Sequence, residues 1–159
     1  MCAILIFGVL NSCSKISKVE EELGDTKIIT IKNDDTPNIN LLYYYNKNNK
    51  LYMTEKRFLD NNIKYFSTFY ETGRKKAKYR TDDGYLTGTY YFYYDNKANS
   101  LKGITYFNKG DENGIQIEYF ESGRVAVKSF YEYGRLDSIF NYNDDKVNSL
   151  NCKHTISHK

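Results

Sequence analysis

The sequence predicts an all-β protein, an antiparallel meander of repeated β-hairpins forming a single-layer, twisted or curved sheet. Three observations predict it. The 159-residue chain is 16% aromatic, with 17 Tyr, 9 Phe, no Trp and one proline, Pro37, a bias that favours strands and leaves them uninterrupted. Turn signals recur near Asn49, Asn62, Gly73, Gly84, Asn96, Gly110, Gly123, Gly134 and Asp145, at steps of 13, 11, 11, 12, 14, 13, 11 and 11 residues. Such a step is a strand of about six residues plus a turn. Finally, paired rings precede most of these turns: Phe69-Tyr70, Tyr93-Tyr94, Tyr106-Phe107, Tyr119-Phe120 and Phe130-Tyr131.

Taken in order, residues 1–12 carry no charge and contain the apolar run Ala3 to Leu10. That run is too short for a membrane-spanning helix, which needs roughly 20 residues, and has the length of a secretory h-region. Leu10-Asn11-Ser12-Cys13 follows and resembles the lipobox of bacterial lipoproteins. The resemblance implies a signal peptide over 1–12, lipidation at Cys13, and a membrane-anchored cell-envelope protein. The alternative is a cytoplasmic domain whose first strand is this run. With Cys13 acylated and Cys2 removed, Cys152 is the one remaining cysteine and no intramolecular disulfide is expected. Residues 13–26, with Lys15, Lys18 and Glu20-Glu21-Glu22, have too few apolar side chains to offset the entropy of ordering and read as a flexible tether.

The repeat domain is expected over 27–146. Lys27 to Lys32 and Ile39 to Tyr45 read as strands separated by the turn Asn33-Asp34-Asp35-Thr36-Pro37. The clearest register is Gly110 to Arg124, where Ile115, Ile117 and Tyr119 alternate with Gln116 and Glu118, a pattern that places the isoleucines on a buried face. Gly84-Tyr85-Leu86-Thr87-Gly88 before Tyr93-Tyr94 and Gly110-Asp111-Glu112-Asn113-Gly114 before Tyr119-Phe120 define a longer period, in which one repeat is two strands. Residues 147–159 form a polar C-terminal tail.

At Gly-x-x-x-Gly, the ring pairs and Gly-Arg, the stretch from Tyr43 to Tyr142 resembles the MORN-repeat variant of bacterial YwqK-type antitoxins. Asn62, Asn96 and Asp145 stand where that pattern has glycine, and Asn and Asp tolerate the left-handed backbone such turns require. The resemblance implies a MORN-like hairpin sheet and an antitoxin-like or immunity-like role against a partner protein.

Neighbouring strand residues point to opposite faces, so each ring pair puts an aromatic on both sides of the sheet. The candidate binding residues follow from that display. Arg74, Lys76, Lys78 and Arg80 fall on one face of a strand, a stripe suited to anionic groups; a solvated, aggregation-resisting face explains the same charges. Tyr91, Tyr93, Tyr106 and Tyr119 offer contact area and a hydroxyl at low entropic cost, or stack on one another.

Other chemistry finds little support. A net charge of +3 over 23 basic and 20 acidic residues makes no bulk case for nucleic acid. Cys152, His154 and His158 are three ligand types in a polar tail without a fourth, a poor zinc site. Asp34-Asp35, Asp82-Asp83 and Asp144-Asp145 lack calcium-loop spacing and suit turns. Glu118 and Glu121 have nothing to distinguish an acid from a base. No catalytic residue, metal or cofactor is expected. The leading expectation is a non-enzymatic repeat lipoprotein acting as a protein–protein interaction module. The alternative is binding of surface glycan or anionic lipid through a basic and aromatic sheet face.

Overall fold

The computed structural model describes residues 15–143 and the backbone of residues 154–155. The fold class expected from the sequence is the one observed. Fourteen strands form one antiparallel sheet: β1 (Ile16–Leu23), β2 (Thr26–Asn33), β3 (Ile39–Tyr45), β4 (Leu51–Phe58), β5 (Lys64–Phe69), β6 (Lys75–Asp82), β7 (Tyr85–Leu86), β8 (Gly88–Tyr93), β9 (Leu101–Asn108), β10 (Asp111–Glu112), β11 (Gly114–Tyr119), β12 (Val125–Glu132), β13 (Arg135–Asn141) and β14 (His154–Thr155). Spatial order follows chain order from β1 at one edge to β14 at the other, without closing into a barrel. β7 and β8 both lie along β6, and β10 and β11 both along β9, so each pair is one strand interrupted once.

The turns explain the repeat. At one end of the sheet, Tyr70 N–H donates to Arg74 O and Gly73 N–H to Tyr70 O, both at 2.9 Å. The same two bonds recur at Asn46/Lys50 and at Phe120/Arg124. Each of these hairpins, and the one between β8 and β9, carries a one-residue register shift just before its turn. The opposite end uses two-residue turns with consecutive positive φ at Asp83-Gly84, Lys109-Gly110 and Tyr133-Gly134, the turn type whose twist matches that of paired strands. The second glycine of Gly-x-x-x-Gly has a different task. Between Thr81↔Leu86 and Lys78↔Tyr91, three steps along β6 face five along β7 and β8, and Gly88 occupies the excess at φ 79°. The same accommodation recurs between β9 and β10–β11 at Gly114, φ 85°. In the β12–β13 hairpin, where Ser138 replaces that glycine, the register shifts by a single residue.

The two faces differ in burial. Thr30, Leu42, Glu55, Phe66 and Tyr79 are successive cross-strand neighbours from β2 to β6; Tyr79 stacks on Tyr90 of β8, and the row continues through Thr105. It holds Leu42, Glu55 and Thr105, all buried, and on the same face Ala77 and Ser129 are buried too. Phe66, Tyr79 and Tyr90 stack in series with ring centroids 4.9 and 5.1 Å apart. We call this the dry face. On the other, open face lie Leu41, Tyr65, Tyr85, Tyr106 and Ile115, all exposed.

Three expectations are corrected. The stretch read as a tether, 13–26, contains β1, which zips to β2 through eight residue pairs from Ile16↔Asn33 to Leu23↔Thr26. Backbone pairing, not side-chain burial, recruits it, and its charges suit an edge strand. Ile115 is not buried but 45% exposed. Ile117 faces Lys128 and Glu118 faces Val127, so sheet-wide register puts Gln116 and Glu118 on the dry side. In the β8–β9 loop the left-handed residue is Asn99, φ 48°, not Asn96; Asn96 instead accepts a hydrogen bond from Ser100 N–H through its side chain. Of the polar tail, His154–Thr155 pairs with β13. The signal segment, Cys13, Asp144-Asp145, Cys152 and His158 lie outside the described residues.

Gly103 shows how tightly the dry face is packed. It faces Phe92 across the β8–β9 ladder, and a Cβ there would lie 2.2 Å from the Phe92 ring and 2.8 Å from the Ile117 carbonyl oxygen. The glycine gives up a side chain so that the ring can lie over its backbone. Gly103→Ala should therefore destabilise the protein by roughly 1–3 kcal/mol, the usual cost of overpacking, measured by urea denaturation; an unchanged midpoint would contradict this packing.

Candidate functional site

The four residues of the basic stripe separate in the folded chain. β6 begins at Lys75, after the register shift opposite Phe69, so Arg74 belongs to the turn. Its guanidinium lies 3.2 Å from Asp95 Oδ1, which Thr72 Oγ1 also approaches at 2.6 Å; the Thr72 bond and the Arg74 charge hold the Asp95 carboxyl below its usual range. Lys76 sits over the Tyr70 ring, 5.8 Å from its centroid. Both are engaged in binding one hairpin's turn to itself or to its neighbour. Lys78 and Arg80 remain on the open face of β6, Lys78 exposed and Arg80 3.6 Å from Asp82.

The four tyrosines also divide. Tyr91 stands opposite Lys78, and Tyr106 opposite Thr89, 46% exposed. Tyr93 and Tyr119 end their strands at equivalent positions, Tyr93 beneath Lys75 at 5.7 Å. Their carbonyls accept hydrogen bonds at 2.7 Å from the hydroxyls of Tyr70 and Tyr94 respectively, each donor lying in the preceding hairpin.

Lys78, Arg80 and Tyr91 do come together. With Tyr65 and Thr89 they line an open depression of about 260 Å³ beside the kink at Gly88. A second depression of about 200 Å³ shares Tyr65 and Lys78 and extends to Tyr43 and Lys56. Lys56, Tyr65 and Arg80 are successive cross-strand neighbours, so the exposed Tyr65 stands between two basic residues, the Lys56 ammonium lying over the Phe58 ring at 4.9 Å. Sequence reading missed Tyr65 and Lys56 because Tyr65-Phe66 precedes no turn. Only the β4–β5–β6 register aligns them with Arg80.

The dry face carries the most connected polar group. Glu55, 4% exposed, accepts the Tyr44 hydroxyl at 2.7 Å on one carboxylate oxygen and Arg57 Nε at 2.6 Å on the other. Burial by itself would push the Glu55 carboxyl up, but the Arg57 and Tyr44 hydrogen bonds, with the Arg57 charge, hold it below its ordinary value of 4.5. Burial and the carboxylate together push the Tyr44 hydroxyl well above its ordinary range. With both oxygens engaged, this carboxylate acts as a brace between β3 and β4. Among the described residues no three His, Cys, Asp or Glu side chains are grouped to hold a metal ion.

The chain matches no protein-family model and no curated protein.

Because the Glu55 carboxyl is lowered in the folded state, its stabilisation is complete above the ordinary carboxylate range and is lost as pH falls through its own lower value. Glu55→Gln should cost about 1–3 kcal/mol at neutral pH and flatten the acid limb of stability against pH, followed by thermal denaturation from pH 7 to pH 3. An acid limb identical to that of the native chain would refute the brace.

Proposed function

We propose that the chain is a non-enzymatic, MORN-like repeat scaffold that binds another protein through the open face of its sheet, in an antitoxin-like or immunity-like role. In this reading it is held at the bacterial cell envelope by a lipid on Cys13. The observation that carries the proposal is the placement of exposed apolar residues. Leu41, Tyr65, Tyr85, Tyr106 and Ile115 are 36 to 60% exposed and share one face, while the opposite face holds the buried residues. Rings and aliphatic groups shown together on one side of a thin sheet are the composition of an interaction surface. The ring pairs and doubled glycines that resemble MORN-type repeats support the same reading.

A second reading rests on the depression around Lys78, Arg80, Tyr65 and Tyr91. Cations beside rings suit an acidic glycan or an anionic lipid head group, the ring taking the apolar part and the cations the charge.

Photo-crosslinking in the native host separates the two. A crosslinking residue at position 106, on the open face, should yield a defined protein adduct, whereas one at position 133, in an exposed turn, should not. Intact mass of the purified adduct also reports whether Cys13 carries acyl chains. No protein adduct at position 106, together with glycan or liposome binding abolished by Lys78→Glu, would overturn the leading reading in favour of the second.

A further inference from the structure

The inter-hairpin tyrosine bonds have one gap in the series. Tyr70 and Tyr94 each begin a turn, reach the carbonyl that ends the next hairpin's first strand, Tyr93 O and Tyr119 O, and lie beneath Lys76 and Lys102 at 5.8 and 5.5 Å. In the hairpin of β3 and β4 the corresponding residue is Asn46. The backbone there is the same: Asn46 N–H donates to Lys50 O at 2.9 Å and Asn49 N–H to Asn46 O at 2.8 Å, after the same register shift. The side chain differs. Asn46 Oδ1 turns back to accept Asn48 N–H and Lys50 N–H, both at 3.0 Å, and no ring reaches the next hairpin.

What remains is a cleft of about 450 Å³, lined by Asn46, Lys50 and Tyr52 on one side and Phe69 and Tyr70 on the other. Tyr52 occupies the position that Lys76 and Lys102 hold in the later hairpins, the residue skipped by the register shift. Its ring packs against Tyr44, centroids 6.3 Å apart, and its hydroxyl lies 3.4 Å from Thr26 Oγ1, which lines the same cleft. Phe69 ends β5 as Tyr93 ends β8. Because Tyr70 N–H points to Arg74 across its own hairpin, strand alternation turns the Phe69 carbonyl the other way, toward β4, whose Leu51 and Tyr52 line the cleft together with Phe69.

We propose that this cleft receives a tyrosine side chain supplied by the partner protein, its hydroxyl donating to the Phe69 carbonyl as Tyr70 and Tyr94 do from within the chain. The inference rests on the protein-binding reading and gives that partner a second contact, at the turn end of the sheet on the side of Tyr44 and Thr26, in addition to the open face. A phenol fits the vacancy because the two filled positions show which group the geometry accepts, a flat ring with a donor at its far end. A phenylalanine fills the space and leaves the carbonyl without the donor.

The test uses N-acetyl-tyrosinamide and N-acetyl-phenylalaninamide as probes against the full chain, read by amide chemical shifts. Saturable shifts confined to residues 46–52 and 69–71 are expected with the tyrosine amide, with the phenylalanine amide roughly fivefold weaker, the worth of one hydrogen bond. Asn46→Tyr should fill the cleft from inside, raise the melting temperature and abolish binding. Asn46→Phe should abolish binding with a smaller thermal gain, which separates occupancy from misfolding. Absence of saturable shifts in the native chain, equal affinity for both amides, or undiminished binding in a folded Asn46→Tyr would each overturn the proposal. A protein adduct at position 106 with no tyrosinamide binding defeats this inference alone; tyrosinamide binding without any protein adduct defeats the protein-partner reading and leaves the cleft's chemistry standing.

Discussion

A sheet with no second layer has no interior, and every other feature of this molecule answers to that constraint. Only Leu42 and Ala77 are buried apolar side chains among the described residues, so cohesion comes from what neighbouring strands do for one another. Cross-strand pairs contribute roughly 0.2–1 kcal/mol each. Many in series replace a core. The stack of Phe66, Tyr79 and Tyr90, the Phe92 ring over Gly103, and the Glu55 brace between Tyr44 and Arg57 are all contacts of this kind. Stability of such an array is close to a sum over nearest neighbours, which leaves one face free to display rings and charges.

The paired rings before the turns at one end of the sheet, Phe69-Tyr70, Tyr93-Tyr94 and Tyr119-Phe120, join one hairpin to the next through two hydroxyls. In Tyr93-Tyr94 the first residue offers its carbonyl backward to Tyr70, and the second sends its hydroxyl forward to Tyr119. Asn99 adds to the joint, since its side-chain amide bonds both Lys75 N–H and Lys75 O at 3.0 and 2.8 Å. The series ends at Phe120, which has a ring and no hydroxyl, and begins at Asn46, which has neither. At the Asn46 end this leaves the cleft beside Phe69 and Tyr70.

The sheet was legible in the sequence because turns and alternation are local. Asp83-Gly84 and Lys109-Gly110 specify two-residue turns by their backbone requirements alone, and strands of six to eight residues between such turns can pair only with their neighbours. Which face is dry was not legible. Ile115 and Ile117 look like buried residues until Ile117 is set opposite Lys128 by pairing with β12. β1 was hidden for the opposite reason. Its Lys18, Glu20, Glu21 and Glu22 contain no burial signal, and the strand forms through backbone bonds to β2. Of the candidate site, Lys78, Arg80 and Tyr91 were legible as residues that suit anions, but Tyr65 and Lys56 join them only through cross-strand register. The cleft at Asn46 required the filled positions at Tyr70 and Tyr94 for comparison.

The claim that ring hydroxyls couple successive hairpins is tested most directly by removing single oxygens. Tyr70→Phe and Tyr94→Phe should each lower unfolding free energy by about 1 kcal/mol in urea, while Tyr85→Phe, at an open-face position 60% exposed, should leave it unchanged. If the first two variants are as stable as the Tyr85 control, the hairpins are held by ladder pairing alone and the coupling described here is wrong.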